Sequence, residues 1–348
     1  MGARETEPVM TAPLPRKPLF AGGPEVSRLC LGTMMFGDQS DEAESGRILD
    51  GFLSAGGDFI DTADTYAGGE SERILGRLLE GRRSDVLLAT KLGNAIKGVS
   101  GSGGISADWM ARAAEDSLDR LRTDVIDLYY LHRDDDVTSL EECIGAMGAL
   151  IAAGKVRHWG FSNFRPWKIA EMVRVADALG VPRPVVAQPY YHMLNRVAET
   201  DLLPACAHFG IGVVPYSPLA RGVLTGKYRD GAPEGSRAAR GDARMMETEF
   251  RPETVAAANR ATDHAHATGR DPAALAVQWV LANKTVSSVL IGPKSVEQLQ
   301  GYLDVMGTSY DAEDERALSA ICASGHTPAP GYSDPRYPLR GRVTAFGD

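Results

Sequence analysis

The chain is poor in the features that would mark a secreted, membrane-spanning or nucleic-acid-binding protein. Its 348 residues hold four cysteines, Cys30, Cys143, Cys206 and Cys322, scattered without the paired spacing of a zinc site or a disulfide framework. No apolar run approaches the roughly 18 residues of a membrane helix, and residues 1–20 lack the apolar stretch of a signal peptide. Basic residues are outnumbered, 37 Lys and Arg against 46 Asp and Glu, for a net charge of −9. That balance excludes a general electrostatic footprint for nucleic acid or an anionic membrane surface, while leaving room for a local phosphate pocket. His264 and His266 are two apart on a helical stretch and face different ways, so no metal site is expected. The expectation is a reduced, cytoplasmic protein acting on a small molecule, with a homo-oligomer left open.

What is present is a rhythm. Eight short apolar segments read as buried strands, and helical patterns separate them. The strands are placed at residues 28–32, a segment ending at Asp61, 86–90, 125–131, 156–161, 184–187, 211–215 and 286–291. Helix signals are local: Ser71 is read as an N-cap, Gly154 and Gly210 as stops, and Pro166 as a first helical residue. Residues 217–250 break the rhythm as a long glycine-bearing loop, a length that points to function. An open doubly wound sheet binding a dinucleotide would place a G-x-G-x-x-G turn after its first strand. The stretch from Leu31 to Gly37 has no such turn. The reading is therefore a single α/β domain, a (β/α)8 TIM barrel, over residues 19–323. A loose tail, residues 1–18, precedes it, and an extension, residues 324–348, follows near the substrate pocket.

In such a barrel chemistry emerges where strands end. Asp61 and Tyr66 follow the second strand, Lys91 the third and His132 the fourth. An ammonium beside a phenol favours the phenolate, and a carboxylate holds that ammonium charged. An imidazole can orient a substrate oxygen. The set suits proton transfer to a carbonyl oxygen during hydride transfer. Any one of these residues alone reads as structural; their order on consecutive strands does not.

The chain also resembles the aldo-keto reductases, from about Leu29 to about Leu299. The resemblance is to the bacterial-type branch that includes aryl-alcohol-dehydrogenase-like enzymes and channel beta subunits. It is carried by Asp61-Thr62-Ala63-Asp64-Thr65-Tyr66, Gly69-Glu70-Ser71-Glu72, Leu131-His132-Arg133, Gly160-Phe161-Ser162-Asn163-Phe164, Gln188-Pro189, Tyr216-Ser217-Pro218-Leu219, Gly222-Val223-Leu224-Thr225-Gly226-Lys227 and Ile291-Gly292-Pro293-Lys294-Ser295. It implies a catalytic tetrad of Asp61, Tyr66, Lys91 and His132, with Tyr66 as proton donor. The five-residue spacing to the tyrosine selects Asp61 over Asp64, which is read as a solvated loop residue.

The same resemblance implies NADPH, preferred over NADH, as cofactor. Ser162, Asn163 and Gln188 would hold the nicotinamide carboxamide, Tyr216 would stack on the ring, and Ser217, Leu219, Gly222 and Lys227 would fold over the pyrophosphate. Ile291, Gly292, Lys294, Ser295 and Gln298 would receive the adenosine end and its 2′-phosphate. Gly301-Tyr302 stands where the family has a Glu-Asn pair, His192 replaces a usual Asn and Tyr190 a usual acid. Met34, Met35, Phe36 and Trp109, with Tyr332, Tyr337 and Leu339, are the candidate walls for a small carbonyl substrate. The implied activity is reduction of an aldehyde or ketone. A non-catalytic nucleotide-binding regulatory relative and a deoxysugar-nucleotide reductase are the alternatives.

Overall fold

Most helix boundaries follow from local capping in the computed structural model, which describes residues 13–332 and 334–337. The chain opens with β1 (Arg16–Pro18) and β2 (Glu25–Ser27), then β3 (Leu29–Gly32), α1 (Glu42–Ser54), β4 (Phe59–Asp61), α2 (Glu70–Leu78) and β5 (Leu87–Leu92). Next come α3 (Ala107–Leu121), β6 (Ile126–Leu131), α4 (Leu140–Ala152), β7 (Val156–Ser162), α5 (Pro166–Leu179) and β8 (Val186–Gln188). The remainder is α6 (Leu202–Phe209), β9 (Gly212–Val213), α7 (Ala243–Thr248), α8 (Pro252–Ala267), α9 (Pro272–Ala282), β10 (Val289–Ile291), α10 (Val296–Asp304) and α11 (Ala312–Ser319). Asp41, Ser106, Ser139, Asp271 and Ser295 each accept a first-turn backbone N–H, starting α1, α3, α4, α9 and α10. Gly180 and Gly210 close α5 and α6 in the left-handed region.

Eight parallel strands form one sheet in the order β10-β3-β4-β5-β6-β7-β8-β9. Its two edges meet: Val213 bridges Val286, Ser287 N–H donates to Val213 O at 2.8 Å, and Leu290 N–H to Pro215 O at 3.0 Å. The architecture is the (β/α)8 barrel read from the sequence. Its register pairs Gly32 with Asp61, Lys91 with Tyr130 and Ser162 with Gln188, so the polar strand ends line up on one rim. Alternation along each strand sends one set of side chains inward and the other against the helices. Cys30, Phe59, Ala89, Leu128, Tyr130, Val186 and Val214 fill the barrel, while the larger core lies between sheet and helices.

The N-terminal segment differs from expectation. Residues 16–18, read as part of a loose tail, pair antiparallel with β2, and Leu19 and Val26 join the barrel-filling cluster. The hairpin stoppers the barrel end away from the polar rim. Gly212 permits it, since a Cβ there would lie 1.6 Å from Leu19 O. Ser71 is not an N-cap: Gly69, at φ 92°, takes that place, and the Ser71 hydroxyl is buried against the Thr33 and Thr62 hydroxyls. The 217–250 segment holds α7, six residues long and too short to show a period.

Candidate active site

The four strand-end residues converge on a buried ammonium. Lys91 Nζ donates to Asp61 Oδ1, to Thr62 O at 2.7 Å and to the Tyr66 hydroxyl at 3.2 Å. Asp61 and Lys91 are fully buried. The second Asp61 oxygen accepts Gln188 Nε2 at 2.8 Å, so Gln188, assigned from the sequence to the nicotinamide, here braces the carboxylate. The Tyr66 and His132 rings meet edge to face with centroids 6.2 Å apart. Among the described residues, His132 Nδ1 is buried without a partner.

The electrostatics favour a protonated tyrosine. Burial raises the Tyr66 hydroxyl above its ordinary value; Lys91 pulls the other way without winning. The sequence reading had the ammonium lowering it, and desolvation reverses the sign. Burial opposes the Lys91 charge, but Asp61 and then Tyr66 more than offset it and its pKa rises. His132 is held well below the usual imidazole range by burial and by Lys91, and is neutral at pH 7.

A second group extends the rim. Ser162 Oγ donates to Gln188 O at 2.7 Å, Asn163 Nδ2 to His132 O at 2.9 Å, and the Tyr216 hydroxyl to Asn163 Oδ1 at 2.9 Å. Asn163, Ser217, Ala220 and Arg221 have φ between 48° and 59°, as does Ala67 beside Tyr66. Such left-handed residues cost of order 1 kcal/mol each and gather where a site over-determines the backbone.

The segment after Tyr216 carries cations without carboxylate partners. Among the described residues, Arg221, Arg237, Lys227 and Lys294 make no ion pair, while burial depresses the Arg221 and Arg237 guanidiniums. Gly222, at φ 97°, leaves space that a Cβ would take from Lys227 Nζ at 3.1 Å. Leu219 is half-buried. Ile291 ends β10 and exposed Gly292 follows. Ser295 caps α10 through Gln298 N–H, and Gln298 Oε1 accepts Lys294 N–H at 3.1 Å, leaving the Lys294 ammonium exposed. Unpaired cations, a glycine cradle and a helix start suit a polyphosphate nucleotide.

The remaining candidates divide. Met34 is 41% exposed, whereas Met35 and Trp109 are 5% exposed and belong to the core. Tyr337 lies near the tetrad: Arg165 donates to its carbonyl at 3.1 Å and Arg133 sits over its ring at 5.9 Å. Tyr332 lies under Arg251, and Leu339 is outside the described residues. Arg244 forks onto Asp334 at 2.9 and 2.7 Å, tying α7 to the C-terminal stretch. No local motif signals that pair, because its members are far apart in sequence.

Asp64 departs from its expected setting. Expected to be solvated, it is fully buried, and among the described residues no side chain donates to its carboxylate. Burial and the neighbouring Glu72 push its carboxyl up to about 8. A concavity of about 470 Å³ elsewhere, lined by Tyr191, Arg196, Glu199, Leu203, Trp279 and Asn283 among others, contains none of the tetrad.

The sequence is similar to those of known proteins. The Aldo/keto reductase family profile matches residues 28–323. An uncharacterized oxidoreductase, YrpG, of Bacillus subtilis (strain 168) is 36% identical over 90% of this chain and 96% of its own length. Probable voltage-gated potassium channel beta subunits are 35% identical in Oryza sativa subsp. japonica and 36% in Arabidopsis thaliana, over 81% and 82% of this chain and 88% of each relative. The chain belongs to the aldo/keto reductase family. Family membership supports an oxidoreductase, and members generally use NAD(P)H. Among the described residues no helix is long and apolar enough to cross a membrane.

Proposed function

We propose that the protein is an NADPH-dependent reductase of an aldehyde or ketone, with Tyr66 as proton donor. The observation that carries this reading is the hydrogen-bonded chain Asp61–Lys91–Tyr66 at a polar rim, its acid and ammonium fully buried and its phenol half-buried, with neutral His132 beside it. When bound, the nicotinamide supplies a hydride to the carbonyl carbon. As the carbonyl oxygen gains charge, Tyr66 gives it the phenolic proton, completing the alcohol. The phenolate left behind is stabilised by the Lys91 ammonium 3.2 Å away until solvent returns a proton. Asp61, with Gln188 bracing it, keeps that ammonium in place. A neutral His132 can donate one N–H to the substrate oxygen and orient it.

Ser162, Asn163 and Tyr216 would hold the nicotinamide, and Arg221, Lys227, Lys294 and Ser295 the phosphates. Lys294 favours NADPH through the 2′-phosphate. Loss of NADPH absorbance on adding aromatic and aliphatic aldehydes tests the reading; no turnover of any carbonyl compound would contradict it. The relatives named as channel beta subunits give a second reading, a nucleotide-binding regulatory subunit. The complete tetrad weighs against it, and the same assay separates the two.

A further inference from the structure

Tyr190 has no role in the chemistry above, yet it is held from several sides. Its ring lies against Tyr216 with centroids 5.2 Å apart and planes 24° from parallel. A parallel backbone bridge joins the two residues, and Tyr216 N–H donates to Pro189 O at 3.0 Å. The Tyr190 hydroxyl bonds the buried carboxyl of Glu249, and the His192 ring meets Tyr190 edge-on at 4.9 Å. Arg221 sits 5.6 Å from the Tyr190 centroid, and its Nε donates to Thr248 Oγ1 at 3.0 Å. Arg221 lies near the start of the 217–250 segment, Thr248 and Glu249 near its end. Both ends therefore grip one phenol ring, and that ring backs Tyr216.

We propose that Tyr190 is a positioning residue for the cofactor: it fixes the plane of Tyr216 and locks both ends of the 217–250 segment to it. The proposal rests on the reading that Tyr216 stacks on the nicotinamide. Tyr216 is already restrained at its hydroxyl by Asn163; Tyr190 removes the remaining freedom, rotation of the ring away from the cofactor. Ordering of the segment and presentation of the stacking face then become one event.

The test is an NADPH titration, followed by nucleotide fluorescence, of wild type, Tyr190→Phe, Tyr190→Leu and Glu249→Leu, with thermal melting in parallel. Tyr190→Leu removes the backing ring and should raise the NADPH Kd by about threefold to tenfold, the worth of one aromatic pair. Tyr190→Phe keeps the stack and loses only the bond to Glu249, so it should weaken NADPH no more than Glu249→Leu does and less than Tyr190→Leu, the partial rescue that generic destabilisation would not give. Glu249→Leu frees the far end of the segment; it should raise amide exchange over residues 243–250 and weaken NADPH by about threefold. Wild-type affinity in Tyr190→Leu overturns the proposal and leaves the cofactor reading intact. Should Tyr190→Leu not fold, unchanged affinity in Glu249→Leu overturns it instead. If wild type binds neither NADPH nor NADH, the cofactor reading itself falls and the proposal with it.

Discussion

Two buried carboxylate–cation networks lie on opposite faces of β5, set by neighbouring residues. Lys91 points into the barrel and bonds Asp61 and Tyr66. Thr90 points outward and donates to Glu72 Oε1 at 2.5 Å, while Arg120 Nε donates to Glu72 Oε2 at 2.7 Å. Each network has a fully buried acid, and each has a tyrosine from β5's neighbour or loop nearby, Tyr66 inside and Tyr129 outside. The chemistry of the groups is alike; their settings are not. The inner network ends at the polar rim, where Tyr66 and His132 meet. The outer one is closed between α2, α3 and the sheet, beside the buried Asp64. Burying charge does not make a site: the inner network is read as catalytic because its last proton-bearing group stands where a substrate can reach it.

Breaking the two networks should therefore separate stability from activity. Lys91→Met leaves Asp61 buried with only Gln188, and Arg120→Met leaves Glu72 buried with only the Thr90 and Ser117 hydroxyls. Each should cost about 3–5 kcal/mol in urea denaturation, the usual effect of orphaning one member of a buried pair. Lys91→Met should in addition lower kcat by about 10²–10⁴-fold, whereas folded Arg120→Met should keep kcat within about threefold. Equal losses of kcat would erase the distinction.

A smaller effect concerns nucleotide choice. Lys294→Ala should weaken NADPH by about tenfold in direct titration and leave NADH unchanged, since only the former carries the 2′-phosphate. Equal wild-type affinity for the two nucleotides would remove Lys294 from that role without touching the tetrad.

Stability should also slope with pH. Asp64 keeps its proton in the fold up to about pH 8, whereas the unfolded chain releases it near the ordinary carboxylate value. Across that window the native state binds more protons, so this group makes stability fall as pH rises, and the loss levels off above about 8. Asp64→Asn keeps the shape of the neutral acid and cannot ionise. Its stability relative to wild type should rise between pH 5 and pH 8; a pH-independent difference in urea midpoints would contradict this account.

The same contrast explains what the sequence made legible. Strand ends and caps are local, so Pro166 and Gly210 marked their helices, and the strand order placed Asp61, Lys91 and His132 on one rim. The outer network was not legible, because Glu72 and Arg120 are 48 residues apart and no spacing rule joins them. Asp64 misled for a related reason: a carboxylate in a polar loop phrase reads as solvated, and only the packing of α2 and α3 over it decides otherwise. Ser71 had the chemistry of a cap but was drawn into the hydroxyl cluster with Thr33 and Thr62. The β1–β2 hairpin is too short and too rich in proline and charge to show strand alternation. Tyr190 and Glu249, 59 residues apart, meet only because the long segment returns to its starting point.

In the proposed reaction the inner tyrosine alone handles the proton. The most direct measurement is NADPH oxidation with an aromatic aldehyde by Tyr66→Phe and Tyr129→Phe side by side, each first shown by titration to bind NADPH. The account predicts that Tyr66→Phe loses turnover by about 10²-fold or more while Tyr129→Phe stays close to wild type. Comparable turnover in Tyr66→Phe and wild type would contradict it.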